Sequence, residues 1–303
     1  AALPLRVALG DADLRGPTRR EADALARPLP TLSPKGLYWA AMRLLLRSLG
    51  RLSAGVRLGH ITGFDSGATL DYVYRNKPSG WGFLGRLIDH NYLNAIGWRG
   101  IRRRKQHLEE FLLQALELLA ADERPLRVLD VAAGHGRYLL EALAGCPHRP
   151  ESVLLRDVSP ASVREGAALI RKMGMQDIAR FEPGDAFDLD SLAAIRPRPT
   201  VAIVSGLYEL FPENDRVRLS LAGLARAIEP GGYLIYTGQP WHPQLEFIAR
   251  TLTSHRNGQP WVMRRRSQAE MDQLVENAGF VKLAQRIDSW RIFTVSLARR
   301  LEE

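Results

Sequence analysis

Three carboxylates follow apolar runs in this chain, and their placement limits the chemistry they can do. Asp130 stands in the run Arg127–Val131, Asp157 closes the run that starts at Ser152, and Asp185 follows Ile178–Glu182. Between the first run and a helix that opens at Arg137 lies a turn of small residues, Ala132-Ala133-Gly134-His135-Gly136. Glycines there let a ligand approach the backbone, because no Cβ stands in the way. The helix start adds free N–H groups and a partial positive charge. An acid at the end of the second strand suits the paired hydroxyls of a ribose, each donating to the carboxylate. Together these groups suit a nucleoside or nucleotide. A dinucleotide site needs G-x-G-x-x-G, and here Leu139 occupies the third glycine's place. A plain glycine turn is the other reading.

Strand, turn and helix in that order form the opening of a βαβ unit. Ser159-Pro160 is an N-cap followed by a favoured first helical residue, with the helix reaching about Met173. Thr200–Val204 is apolar throughout, as a central parallel strand buried on both faces should be. The loop after it, Ser205 to Pro212, lies where ligands sit in open α/β sheets. A fifth strand, Tyr233–Thr237, follows Glu229-Pro230-Gly231-Gly232. Ser267-x-x-Glu270 is a capping box for a helix that stops at Gly279. Phe280–Ile287 and Ile292–Leu297 are joined by four residues, so they pair antiparallel.

The stretch D-x-A-x-G-x-G from Asp130 to Gly136 resembles the first motif of class I S-adenosylmethionine-dependent methyltransferases, D-x-G-x-G-x-G, with Ala132 in place of the first glycine. Asp157-Val158-Ser159 and the P-G-G before the fifth strand resemble that family too. The resemblance runs from about Leu126 to Leu297. It implies an α/β fold with a Rossmann-like, seven-strand, mostly parallel sheet of order 3-2-1-4-5-7-6, the last strand antiparallel, and an N-terminal helical cap. It implies S-adenosylmethionine as cofactor, with no metal. Asp130, Ala132, Gly134 and Gly136 would hold its methionine part, Asp157 and Val158 the ribose, Asp185 and Ala186 the adenine, and Ser205 and Gly206 the methyl end. Family members often fold a segment before the first strand over the cofactor, where a Tyr and an Arg meet its carboxylate. Tyr72, Tyr74, Arg99 and Arg103 are the candidates. In-line methyl transfer needs alignment and dryness more than chemical help. A base is needed only when the acceptor must lose a proton. Glu209 and His135 are candidate bases, and Tyr208 a candidate orienting group.

The chain also resembles a bacterial methyltransferase family sometimes fused to an α/β-hydrolase and found beside phospholipid enzymes. Gly63-Phe64-Asp65-Ser66-Gly67 and Ile96-Gly97-Trp98-Arg99-Gly100-Ile101-Arg102 carry that likeness. It implies a small-molecule or lipid-linked acceptor and a fused or neighbouring hydrolase, and Ala1 fits such a fusion or a removed initiator Met. Neither N-P-P-Y nor D-P-P-Y follows the fourth strand, and no cysteine stands there for attack on a pyrimidine. Nucleic acid is therefore the weaker acceptor.

The 303 residues carry a net charge of +9, all of it within residues 1–110. This basic third is where an RNA would be guided, in the rival reading of an RNA methyltransferase. A third reading is a cofactor-binding module without turnover. Residues 1–35 read as an arm or linker, 36–120 as the cap and substrate region, and 121–303 as the methyltransferase domain. Gly36–Leu58 reads as one helix, with Arg43, Arg47 and Arg51 on one face and Leu45, Leu49, Leu52 and Val56 opposite. Such a helix packs on a core as an ordinary cap helix with a solvated arginine face, the favoured reading, and can alternatively lie on an anionic membrane. Arg102–Lys105 is a basic run ahead of a helix from Gln106 to Leu119, and it could meet phosphate. With one cysteine, Cys146, and no apolar stretch of membrane length or signal-peptide pattern, the expected location is cytoplasmic or peripheral to the inner membrane. The cavity between Tyr208 and the Tyr72–Arg103 region separates the readings. A closed apolar slot favours a lipid or small molecule, and an open basic trough favours RNA.

Overall fold

Seven strands form one sheet in the order β3-β2-β1-β4-β5-β7-β6 in the computed structural model, which describes residues 17–302. They are β1 (Arg127–Val131), β2 (Ser152–Asp157), β3 (Ala179–Pro183), β4 (Val201–Val204), β5 (Tyr233–Gly238), β6 (Phe280–Ile287) and β7 (Thr294–Arg300). The first five pair parallel; β7 runs antiparallel to both β5 and β6. Every residue of β4 and β5 is buried, which is why these segments are continuously apolar rather than alternating. Asp288 supports the turn between β6 and β7 by accepting from the backbone N–H groups of Trp290 and Phe293.

Helices cover both faces. One face packs Leu108, Leu112 and Leu116 of a long helix against Val128, Val153, Val201 and Ile203. On the other, Leu221, Leu224, Leu274 and Val275 cover Leu129, Leu154, Ala202 and Leu234. Ser267 caps its helix as the sequence indicates, accepting from Glu270 N–H at 3.2 Å.

The chain before β1 is helical: α1 (Pro17–Ala26), α2 (Pro34–Arg47), α3 (Ala54–Thr62), α4 (Gly67–Arg75), α5 (Gly82–Leu93) and α6 (Ile96–Ala121). Part of the expected arm, 17–26, is therefore helix; the rest of it up to residue 16 lies outside the described residues. Arg250 holds α1 by donating to the carbonyls of Arg27 and Ala24.

Two expectations fail here for local reasons. Gly36–Leu58 is not one helix. Ser48 bonds back to Leu44, a 3-10 turn occupies Leu49–Leu52, and Ser53 N-caps α3 by accepting from Val56 N–H at 3.0 Å. Arg51 consequently leaves the face shared by Arg43 and Arg47. The helix expected from Gln106 begins at Ile96, so Arg102–Lys105 sit well inside it rather than at its start. Gly97 and Gly100 look like turn residues in sequence. Here they lie on a packed face, where a Cβ on Gly100 would stand 3.0 Å from Phe293.

Candidate active site

The loop Ala132–Gly136 is wound left-handed at three positions, with φ of 55° at Ala132, 59° at Gly134 and 70° at Gly136. A Cβ on Gly136 would lie 2.1 Å from Leu155 Cδ2, so only glycine lets the loop sit on β2. Asp157 ties that loop down. Its Oδ2 accepts from Gly134 N–H at 2.9 Å and its Oδ1 from Ser159 N–H at 2.8 Å. Burial pushes its carboxyl up, against the pull of these two bonds.

Asp130 is buried at the end of β1, and its Oδ2 has no hydrogen-bond partner among the described residues. Burial drives this carboxyl up to about 8, opposed by the neighbouring Tyr138 hydroxyl and reinforced by the Asp157 charge. A buried acceptor without a partner carries a desolvation cost that a cationic ligand would relieve.

These groups line a cavity of about 520 Å³, together with Ala132, His135, Val158, Asp185, Ala186, Ser205 and Gly206. Asp185 is exposed and closes an Asx turn on Phe187 N–H. Phe187 and Phe211 meet edge to face at 4.6 Å, with Arg216 over both rings. This aromatic wall has no sequence signature, since its members come from separate loops. Burial lowers the His135 pKa, which keeps the ring toward its neutral form.

The cap closes this cavity. Gly67, at the start of α4, comes so near the glycine loop that a Cβ would stand 2.9 Å from Gly134 Cα. Asp71 of α4 pairs with Arg137, the first residue of the helix Arg137–Ala144. Asp65 binds the other wall, accepting from Ser254 Oγ and from His255 N–H, each at 2.6 Å. Burial would raise its carboxyl, but these bonds and the His255 charge hold it below the ordinary value. The G-F-D-S-G segment is thus a clasp over the loop.

Among the candidates from the cap, Tyr74 lines the cavity and Tyr72 does not. The Tyr72 hydroxyl donates to Asp89, a buried carboxylate that also accepts from Ser53 Oγ and from Gly55 and Ser79 N–H. Arg99 stacks on Trp290 at 4.7 Å. Arg103 is exposed and bonds Gln106. The arginine that enters is the next one, Arg104, which is buried.

A second cavity, of about 300 Å³, lies between the cap and the carboxyl ends of β4 and β5. Its walls are apolar, including Val56, Phe64, Ile101, Trp261 and Phe293. Asp65, Leu70, Arg104, Gly206 and Leu210 border both cavities, so the two meet just beyond β4. Polar side chains line it as well. Glu209 is buried, 3.4 Å from Arg104. Gln239 is buried with neither amide atom partnered among the described residues. His242 accepts from Gln244 N–H at Nδ1, so its neutral ring carries the proton on Nε2. Burial lowers its pKa to about 4, against the Asp288 charge.

Tyr208 lines neither cavity. Its hydroxyl donates to Ser220 Oγ at 2.9 Å within the core below the sheet. In the 3-10 turn Tyr208–Leu210 adjacent side chains diverge by about 120°, which sends Glu209 to the second cavity and Tyr208 into the core. Tyr208 therefore cannot orient an acceptor directly.

The site suits a nucleoside with a cationic end: an unpartnered buried carboxylate, a second carboxylate on the next strand, and a loop that side chains would fill. The model of a family described as "Putative methyltransferase" matches residues 1–300. The chain is similar to "Uncharacterized protein YnbC" of Escherichia coli K12, 59% identical over 273 residues, which are 90% of this chain and 46% of that protein. It thus spans about half the length of that curated relative. Among solved structures it is similar to a "possible exported protein" from Bordetella parapertussis, with a TM-score of 0.68, 19% identity and full coverage of both chains. It is also similar to magnesium protoporphyrin IX methyltransferase from Synechocystis PCC 6803 with bound S-adenosylhomocysteine. The TM-score there is 0.52 and the identity 15%, covering 79% of this chain and 98% of that one.

Proposed function

We propose that this chain, which belongs to this methyltransferase family, is a class I S-adenosylmethionine-dependent methyltransferase whose acceptor is an apolar small molecule or lipid-linked group seated in the second cavity. One observation carries the choice of acceptor: a largely apolar slot meets the nucleoside cavity beyond β4, at Arg104, Gly206 and Leu210.

Bound in the larger cavity, the cofactor supplies an electrophilic methyl on a positively charged sulfur. Asp130 would hold the cationic end and Asp157 the ribose, while Asp157 keeps the glycine loop in shape through Gly134 N–H. Leu70 and Leu210 at the junction, with the apolar walls of the second cavity, limit water around the acceptor, which favours alignment over solvation. Arg104, 3.4 Å away, orients Glu209 in the wall of the second cavity. Glu209 takes the proton when the acceptor atom is a hydroxyl or amine. Gln239 and the Nε2–H of His242 supply the donors and acceptor that a polar head on an apolar body would need.

Support for an RNA acceptor is weaker. Arg102 donates to Leu93 O, Arg103 to Gln106, Arg104 faces Glu209, and Lys105 pairs with Glu109 and Glu141. The basic run is engaged within the protein rather than turned to phosphate.

Incubation with methyl-labelled cofactor and either a total lipid extract or total RNA tests the reading. Label is expected in the organic phase. Label in RNA would overturn the acceptor class. Cofactor binding without label in any fraction would point to a binding module.

A further inference from the structure

We propose that the outer face of the cap docks on an anionic membrane surface, presenting the apolar cavity to the lipid phase. The docking stands on its own surface features and does not depend on which acceptor the cavity takes.

The face is apolar where a solvated cap would be polar. On α2, Leu37, Tyr38, Leu44 and Leu45 lie within one stripe at helical spacing, and all are exposed. Trp39 and Leu46 point the other way, into the protein. Leu49, on the 3-10 turn that follows, is exposed as well. That turn packs on both α2 and α5. At the start of α5, Trp81 is 80% exposed and Phe83 84%, with Leu84 and Leu87 exposed beside them. Isolated surface apolar groups need no explanation, but a run of large ones across adjoining elements marks a contact surface.

Charge selects the partner. Residues 28–64 contain five basic side chains and no acidic one, and residues 76–88 add Lys77 and Arg86, again with no acid. Arg47, Arg51, Arg57, Lys77 and Arg86 are all exposed. The pKa of His60 is lowered by burial and by the Arg47 and Arg51 charges, so this field reaches into the cap. Exposed Trp, Phe and Leu ringed by arginines suit the boundary between acyl chains and anionic headgroups. A protein partner of the same shape would require acidic side chains around an apolar groove.

The cavity lies directly behind this face. Leu46, Gly50 and Ile88 line it, and each is the chain neighbour of an exposed apolar residue: Leu45, Leu49 and Leu87. An apolar molecule leaving the bilayer at this face would cross one layer of side chains to reach the junction beyond β4.

Flotation with vesicles of phosphatidylcholine alone, and of phosphatidylcholine with phosphatidylglycerol, tests this. The protein should float with the anionic vesicles and lose at least about tenfold in retention when Trp81→Ser and Phe83→Ser are combined. Raising salt should weaken the retention. S-adenosylhomocysteine binding by calorimetry should be unchanged in the double variant, which shows that the fold is intact. Absence of retention, or equal retention on both vesicle types, would overturn the proposal. So would a concentration-dependent dimer that the double variant abolishes, since the face would then join two copies.

Discussion

The Arg104 guanidinium and the Glu209 carboxylate stand 3.4 Å apart, both buried, with Arg104 lining both cavities and Glu209 the smaller one. Burial takes both groups out of water, so each depends on the other for compensation. Arg104→Met leaves Glu209 buried without its counter-charge, which should cost about 3–5 kcal/mol. The double variant R104M/E209Q should recover a large part of that loss. Urea unfolding of the four proteins measures the coupling, and additive losses would mean that the pair does not interact. E209Q alone should keep cofactor affinity while turnover drops about 10²-fold if the carboxylate takes a proton.

Asp130 makes cofactor binding depend on pH. Its carboxyl rises from the ordinary 3.8 to about 8, burial being the main cause. In the free protein its contribution to stability is complete below about pH 4 and is lost as pH climbs through about 8. A bound ammonium favours the ionised form, so at pH 7 binding should expel a proton. Affinity should strengthen as pH rises toward 8. Calorimetry in two buffers of different ionisation enthalpy counts the proton. Asp157 is raised too, so Asp130→Asn is the control: it should weaken binding and remove most of the proton release. Binding heats independent of buffer would refute this.

What could be read ahead of the fold follows from how local each signal is. Asp130, Asp157 and the glycine loop belong to one strand–turn–helix unit, and a strand end followed by a tight turn leaves little freedom in where a carboxylate points. Arg103 and Arg104 show the opposite case. Successive helical residues differ by about 100°, so choosing the right arginine needs the helix start, which two glycines disguised. Tyr72 and Tyr74 differ in the same way: Tyr72 is drawn off by Asp89, a partner 17 residues away. The second cavity draws on α2, α3, α5, α6 and the loops after β4 and β5. No short stretch of sequence holds enough of it to be recognised.

Ala132 occupies a position where glycine would be relaxed. At φ 55° its Cβ crowds the following carbonyl, at about 1–2 kcal/mol. Glycine relieves this but gains freedom in the unfolded chain, offsetting part of the benefit. Ala132→Gly should therefore stabilise the protein by about 0.5–1 kcal/mol. Thermal unfolding checks it. A loss of stability would mean that the Ala132 methyl makes packing contacts worth more than the strain.

Filling the apolar cavity separates acceptor binding from cofactor binding. Ala95 lines only the smaller cavity and stands at the start of α6 in an extended conformation, with φ −55° and ψ 142°. A benzyl group added there occupies space that the acceptor needs. Ala95→Phe should leave S-adenosylhomocysteine affinity within about twofold, since it touches none of the nucleoside cavity, while label transfer to the organic phase falls at least about tenfold. The larger acceptors should suffer most, because a shortened slot discriminates by length, at about 1–3 kcal/mol per methylene that no longer fits. Equal loss for every acceptor would instead indicate that the substitution has moved α6, and with it Arg104. Unchanged transfer for all of them would place the acceptor elsewhere and leave this cavity without its proposed occupant.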